Sequence, residues 1–153
     1  VFETTGQKLF TADFDEIEYI GMNAFLFTLN KKKGLMNNVG KVILPAVYDI
    51  IVYAPNGSLS LYKEKRFGLF YLPTQKLIKP EYERNLQPYG NHHYIAYKAG
   101  GYGLITSEEK PLSPFEFDEI RYWNDSSMLV RKNHHWSVFS WASGTIHLDR
   151  IRQ

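Results

Sequence analysis

KRFGLFYLPTQKLIKPEYER, residues 65–84, holds the pattern on which the fold turns. Phe67 and Leu69 flank Gly68. A turn with Pro73-Thr74 follows, then an apolar stretch through Leu77 and Ile78, then Pro80, and finally Tyr82-Glu83. The same order returns in KKKGLMNNVGKVILPAVYDI (31–50) and GGYGLITSEEKPLSPFEFDEI (100–120). The glycines Gly34, Gly68 and Gly103 lie 34 and 35 residues apart, and Ser137 stands 34 residues beyond the last. A fixed period of this length marks a tandem repeat in which each unit buries its apolar face against its neighbours.

Aligned on these anchors, the apolar columns coincide. One position after the anchor stand Val1, Leu35, Leu69, Leu104 and Val138; two after it stand Phe2, Met36, Phe70, Ile105 and Phe139. Nine after it come Leu9, Ile43, Leu77, Leu112 and Ile146; fourteen after it come Phe14, Tyr48, Tyr82, Phe117 and Ile151. Nine and seven before the next anchor are Phe25, Leu59, Tyr94, Met128 and Phe27, Leu61, Ala96, Val130, a spacing of two that is the strand period. Asn38-Val39-Gly40, Pro55-Asn56-Gly57-Ser58, Gly90-Asn91 and Asn124-Asp125-Ser126 punctuate these stretches as turns. No segment carries a sustained 3.6-residue period.

The expected fold is therefore all-β: about 4.5 repeats of short, hairpin-connected strands in one domain, 1–153. The units run approximately 1–33, 34–67, 68–102, 103–136 and a partial 137–153. An open stacked array is preferred, with a small closed propeller-like ring as the alternative. The anchor glycine is expected where a neighbouring strand or unit passes close. The chain starts at Val1, partway through a repeat, and is read as a mature form or a piece of a longer array.

Composition narrows the function. Hydrophobic residues make up 44% and charged residues 22%, so a folded core is expected rather than disorder. The formal net charge of +2 is too small to point to nucleic acid or an anionic membrane. Lys31-Lys32-Lys33 and Lys63 through Arg66 precede anchors and read as solvated turns. With no cysteine, thiol catalysis and cysteine-ligated zinc are excluded. No apolar run reaches the roughly 18 residues of a membrane-spanning helix, and no stretch of these residues reads as a signal peptide.

The aromatic-Gly-Leu step, the Gly-bearing turn, the aliphatic strand, Pro and aromatic-Asp together resemble the WG (Trp-Gly, or KWG) repeats of bacterial proteins. The resemblance covers nearly the whole chain. It departs at the namesake pair: Phe67-Gly68 and Tyr102-Gly103 are near matches, Lys33-Gly34 lacks the aromatic and Trp136-Ser137 lacks the glycine. The resemblance implies an all-β repeat domain in an envelope-associated or multidomain bacterial protein and supplies no reaction. WD40 and kelch units are longer, and choline-binding repeats much shorter.

No enzyme is expected, and no cofactor or metal. The chain has no nucleophile elbow, P-loop, dinucleotide fingerprint or zinc-protease motif. His92-His93 and His134-His135 are adjacent pairs whose side chains diverge on a strand, so they read as turn or strand-end histidines. The acidic column Asp15, Asp49, Glu83, Asp118 offers one carboxylate per repeat, too few for calcium, and reads as an Asx-type turn or a bond to the next unit. A binding or scaffolding module for protein or glycan is expected; a structural spacer and a cell-wall glycan hydrolase are the alternatives. The candidate binding residues form a row nineteen after the anchor: Tyr19, Tyr53, Gln87 and Tyr122, joined by Trp123 and by Tyr89. Aromatics beside variable turns suit a sugar ring or a protein partner.

Overall fold

The computed structural model describes residues 14–90, 92–141 and 145–147. The described residues contain no helix and fold as four antiparallel sheets, none closed into a barrel. The first sheet holds β1 (Glu16–Gly21), β2 (Ala24–Leu29), β3 (Lys32–Asn37) and β4 (Val42–Tyr48) in sequence order. The second holds β5 (Ile50–Tyr53), β6 (Ser58–Lys63), β7 (Arg66–Tyr71) and β8 (Lys76–Tyr82). The third has β9 (Gln87–Tyr89), β10 (His93–Lys98) and β11 (Gly101–Thr106). The fourth has β12 (Glu119–Tyr122), β13 (Ser127–Lys132), β14 (His135–Ser140) and β15 (Thr145–His147). The anchors lie in the third strand of each meander, so units counted from anchor to anchor each take halves of two sheets.

Alternation along that third strand builds the stack. Phe70 packs with Leu35 and Leu59 between the first and second sheets, while its neighbour Leu69 packs with Ala96 and Ile105 between the second and third. In the same way Ile105 faces back, and Leu104 faces forward to Met128 and Phe139 of the fourth sheet. The second and third sheets are thus buried on two faces, which is why both columns after the anchor must be apolar there. Burial of one such side chain contributes about 1.5–3 kcal/mol. Every core cluster that spans two sheets joins consecutive ones, and none among the described residues joins the first to the fourth. This is consistent with the open array.

The proline and the glycine serve one device. Lys33 pairs with Tyr48, yet Leu35 pairs with Leu44, so β4 bulges around Pro45. Phe67 pairs with Tyr82 and Leu69 with Ile78, with Pro80 in the bulge. A bulge tolerates proline because the ladder is already interrupted. It also swings the backbone over the anchor: a Cβ on Gly68 would stand 2.4 Å from the Ile78 carbonyl oxygen. The close approach expected from the sequence is therefore made by the next strand of the same sheet. In the third sheet only isolated bridges, Ile105 to Pro111 and Tyr102 to Phe117, remain of the fourth strand.

One column is corrected. In the second sheet the residue nine after the anchor is not the core position: Leu77 is 36% exposed, whereas Ile78 is 1% exposed; Ile43 and Leu112, nine after their own anchors, are half-buried against the core. Leu77 lies across from Phe70, but out on the edge strand. Ile78 lies across from Leu69 and shares its buried face.

The acidic column has a common use. Asp15, Asp49 and Asp118 accept the backbone N–H of Asn30, Glu64 and Asn133 at 3.0, 3.1 and 3.1 Å, fifteen residues on in each case. Those residues open two-residue hairpin turns with φ near 50–70° (Asn30-Lys31, Glu64-Lys65, Asn133-His134). Such turns match strand twist but put non-glycine residues in the left-handed region. The carboxylate satisfies the turn's free donor. Lys32 bonds Asp49, and Arg66 lies 3.3 Å from Glu83, so bases before the anchor also fasten the next sheet. The basic clusters are turns, and His134 sits in one.

Candidate aromatic corner and inter-sheet cleft

Tyr122 ends β12 and Trp123 opens the turn to β13. Asn124 shapes that turn, its side-chain oxygen accepting the Ser126 N–H at 2.9 Å. The Tyr122 hydroxyl donates to Asp125 at 2.8 Å, and that carboxylate raises the phenol pKa above its ordinary value. Tyr122 and Trp123 remain 57% and 50% exposed. Tyr19 and Tyr53, at the matching places on β1 and β5, are also exposed; the Tyr19 ring rests 5.0 Å from that of Phe25.

Tyr89 lies beneath this row and is buried, 3% exposed. Its hydroxyl donates to the Ser127 carbonyl at 2.6 Å and accepts the Trp123 N–H at 3.1 Å. Its ring packs 5.2 Å from Tyr122 and edge-on to Trp141 at 5.7 Å. Burial raises its pKa, so it stays a neutral donor. Tyr89 ties both ends of the variable turn to the core and sets the angle of Tyr122 and Trp123.

Gln87, nineteen after its anchor, and Asn85, seventeen after it where the other units have Ile17, Ile51 and Ile120, break their columns because the third sheet is offset by one residue. Ile17, Ile51 and Ile120 pair with Phe27, Leu61 and Val130. In the third sheet Ile95 pairs with Gln87 and Tyr94 with Pro88, so the counterpart of the isoleucines is the buried Leu86. The counterpart of Tyr19, Tyr53 and Tyr122 is then Pro88. The extra residue lies just before β9, near Arg84, whose guanidinium stacks 3.9 Å over Tyr97 and bonds the Tyr102 hydroxyl at 2.8 Å. Counting back fifteen from the next anchor gives Tyr19, Tyr53, Pro88 and Tyr122, but only the strand pairing shows that this count, and not the forward one, holds.

A cleft of about 430 Å³ opens between the second and third sheets. The second sheet and its turns contribute Asn56, Ser58, Tyr71, Thr74 and Lys76 over a floor of Leu69 and Ile78. The third contributes Pro88, Gly90, His92, His93, Tyr94 and Ser107. Lys76 is already paired with Glu108 at 3.1 Å. Burial holds the His93 imidazole below its ordinary pKa, leaving it neutral near pH 7 with one donor and one acceptor. His93 also packs against Trp141 at 5.4 Å, which links the cleft to the Tyr89 cluster. Sequence reading missed this site, because its side chains come from columns of no fixed type.

A smaller cavity of about 360 Å³ between the third and fourth sheets brings Asp118 and Glu119 together. Both are engaged: Asp118 holds the Asn133 turn, and Glu119 lies 2.6 Å from Arg121 and 3.4 Å from Arg131. Its hydrogen bond with Arg121 keeps the Glu119 carboxyl below its ordinary pKa. Among the described residues no group of three or more His, Cys, Asp or Glu is placed to hold a metal ion.

Across each hairpin the residue before the anchor faces one partner: Lys33 against Thr28, Phe67 against Tyr62, Tyr102 against Tyr97, Trp136 against Arg131. The rings of Tyr62 and Phe67 lie 4.9 Å apart, and those of Tyr97 and Tyr102 lie 4.7 Å apart. A family model described as a WG-containing repeat matches residues 102–133, from Tyr102-Gly103 to the turn after β13. The chain carries a WG repeat. The namesake aromatic of that repeat is a half-buried cross-strand partner, not a core residue. Lys33 replaces it by bonding Thr28 at 2.9 Å. The anchor, bulge and acid-capped turn of the WG frame recur in the first and second sheets. No curated protein matches the chain.

Proposed function

We propose that this chain is a non-catalytic binding module: a stack of WG-type sheets that presents aromatic side chains to a protein or glycan partner within a bacterial multidomain or envelope protein. The observation that carries the reading is the Tyr122–Trp123 pair. Two adjacent large aromatics are half exposed while their backbone is pinned to the core through Tyr89. Rigid aromatics with a polar tip bind at low entropic cost. A pure spacer has no need to hold them outward. The carboxylates support non-catalytic use over glycoside hydrolysis. The cleft between the second and third sheets has none among its lining residues, and Glu119 has a lowered pKa where a general acid needs a raised one.

The test is a glycan array and a pull-down with the isolated chain, each repeated with Trp123→Ala. Loss of binding by at least about 1 kcal/mol with an unchanged melting temperature supports the aromatic corner. Normal binding by the variant removes it.

A further inference from the structure

We propose that the cleft between the second and third sheets is a binding site for an uncharged saccharide of one or two rings, opened by Pro88 standing where the repeat elsewhere places a tyrosine. The inference rests on the binding-module reading but moves to a different site from the Tyr122–Trp123 corner.

The register carries the first half. Tyr53 pairs with Leu59 and Tyr122 with Met128, each on the face turned toward the preceding sheet. Tyr122 covers the rim of that junction with its ring 5.2 Å from Tyr89, while staying 57% exposed. Pro88 pairs with Tyr94 on the equivalent face of the third sheet, and its short ring leaves the junction with the second sheet unfilled. A cleft of about 430 Å³ falls within the ~300–1,000 Å³ of small-molecule sites.

The lining carries the second half. A sugar offers hydroxyls that both donate and accept, and apolar C–H faces that rest on aromatic rings. Asn56, Ser58, Thr74 and Ser107 supply uncharged donors and acceptors, and Tyr71 and Tyr94 supply rings. A phosphate or carboxylate ligand needs a free cation. The amine of Lys76, the one lysine or arginine in the lining, is occupied by Glu108, itself accepting from Ser107 at 3.0 Å. The polar set is therefore matched to a neutral polyol.

Calorimetric titration with cellobiose, maltose, N,N′-diacetylchitobiose and, as the charged control, inorganic phosphate tests the assignment. At least one of the neutral sugars is expected to bind the wild type. Pro88→Tyr restores the repeat's tyrosine on an edge strand and should abolish that binding with no loss of melting temperature. Thr74→Trp, in an exposed turn, plugs the opposite rim and should weaken it at least tenfold. Val39→Ala, in an exposed turn of the first sheet away from the cleft, should leave it within twofold. No binding by any of the three sugars, binding of phosphate alone, or full sugar binding by both plugged variants overturns the proposal. Sugar binding lost in Trp123→Ala but kept in the plugged variants moves the ligand to the aromatic corner and also overturns it. Failure of the corner alone leaves the cleft standing.

Discussion

The phenol of Tyr89 and the carbonyl of Ser127 are joined by a 2.6 Å hydrogen bond, although 38 residues separate them. The bond crosses from the third sheet to the fourth and closes the base of the turn that carries Trp123.

Tyr89→Phe removes the donor to Ser127 and the acceptor for the Trp123 N–H while keeping the ring. The Trp123 N–H loses its partner, the Ser127 carbonyl keeps the Asn124 N–H at 3.2 Å, and the expected loss of stability is about 1–3 kcal/mol. Urea denaturation reads it. A midpoint equal to that of the wild type would show that water replaces the phenol without cost.

Leu69→Ala should cost about 2–5 kcal/mol, because the side chain is closed in by the next sheet. Leu77→Ala, at the edge, should cost less than about 1 kcal/mol. Equal losses would mean that the stack does not bury its two faces as described.

Gly68→Ala places a Cβ against the Ile78 carbonyl, and against the Pro80 nitrogen at 2.7 Å. Both are backbone atoms, and neither can yield without opening the bulge. Overpacking of this kind costs about 1–3 kcal/mol. Thermal melting of the variant checks it, and an unchanged transition would remove the close approach as the reason for the glycine.

Asp49 has a lowered pKa, caused first by its hydrogen bond with Lys32 and then by the Glu64 N–H; Glu108 is lowered by Lys76 and Ser107. A carboxyl with a lower pKa folded than unfolded binds fewer protons in the native state. Its contribution is present above the unfolded value, 3.8 for Asp49, and is lost as pH falls through the folded one. Denaturation midpoints should therefore drop as pH falls through and below the unfolded carboxyl values, 3.8 for Asp49 and 4.5 for Glu108, and less steeply in Asp49→Asn. An identical slope in that variant would show that the turn and the lysine do not hold the charge.

Several features were legible from residues alone. The period, the aromatic-Gly-Leu step and the alternation of Leu69 with Phe70 are local, and they follow from a sheet buried on both faces. The role of the acids was half legible. Their recurrence was visible, but Asp15, Asp49 and Asp118 reach turns fifteen residues on, a distance only strand pairing closes. The row of Tyr19, Tyr53 and Tyr122 was visible too, whereas Tyr89, of the same residue type and close in sequence to Gln87, proved to be buried.

The sequence by itself determined the repeat, the all-β class and the columns that bury each sheet, because the strand period and turn chemistry act over a few residues. Tertiary structure decided where the one extra residue of the third unit is absorbed. Spacing between anchors records that a residue was added but not on which side of a turn it lies. The pairing of Tyr94 with Pro88 settles it. That single offset places Leu86 in the core, replaces a tyrosine by a proline at the junction of two sheets, and leaves there the cleft that no column of residues announced.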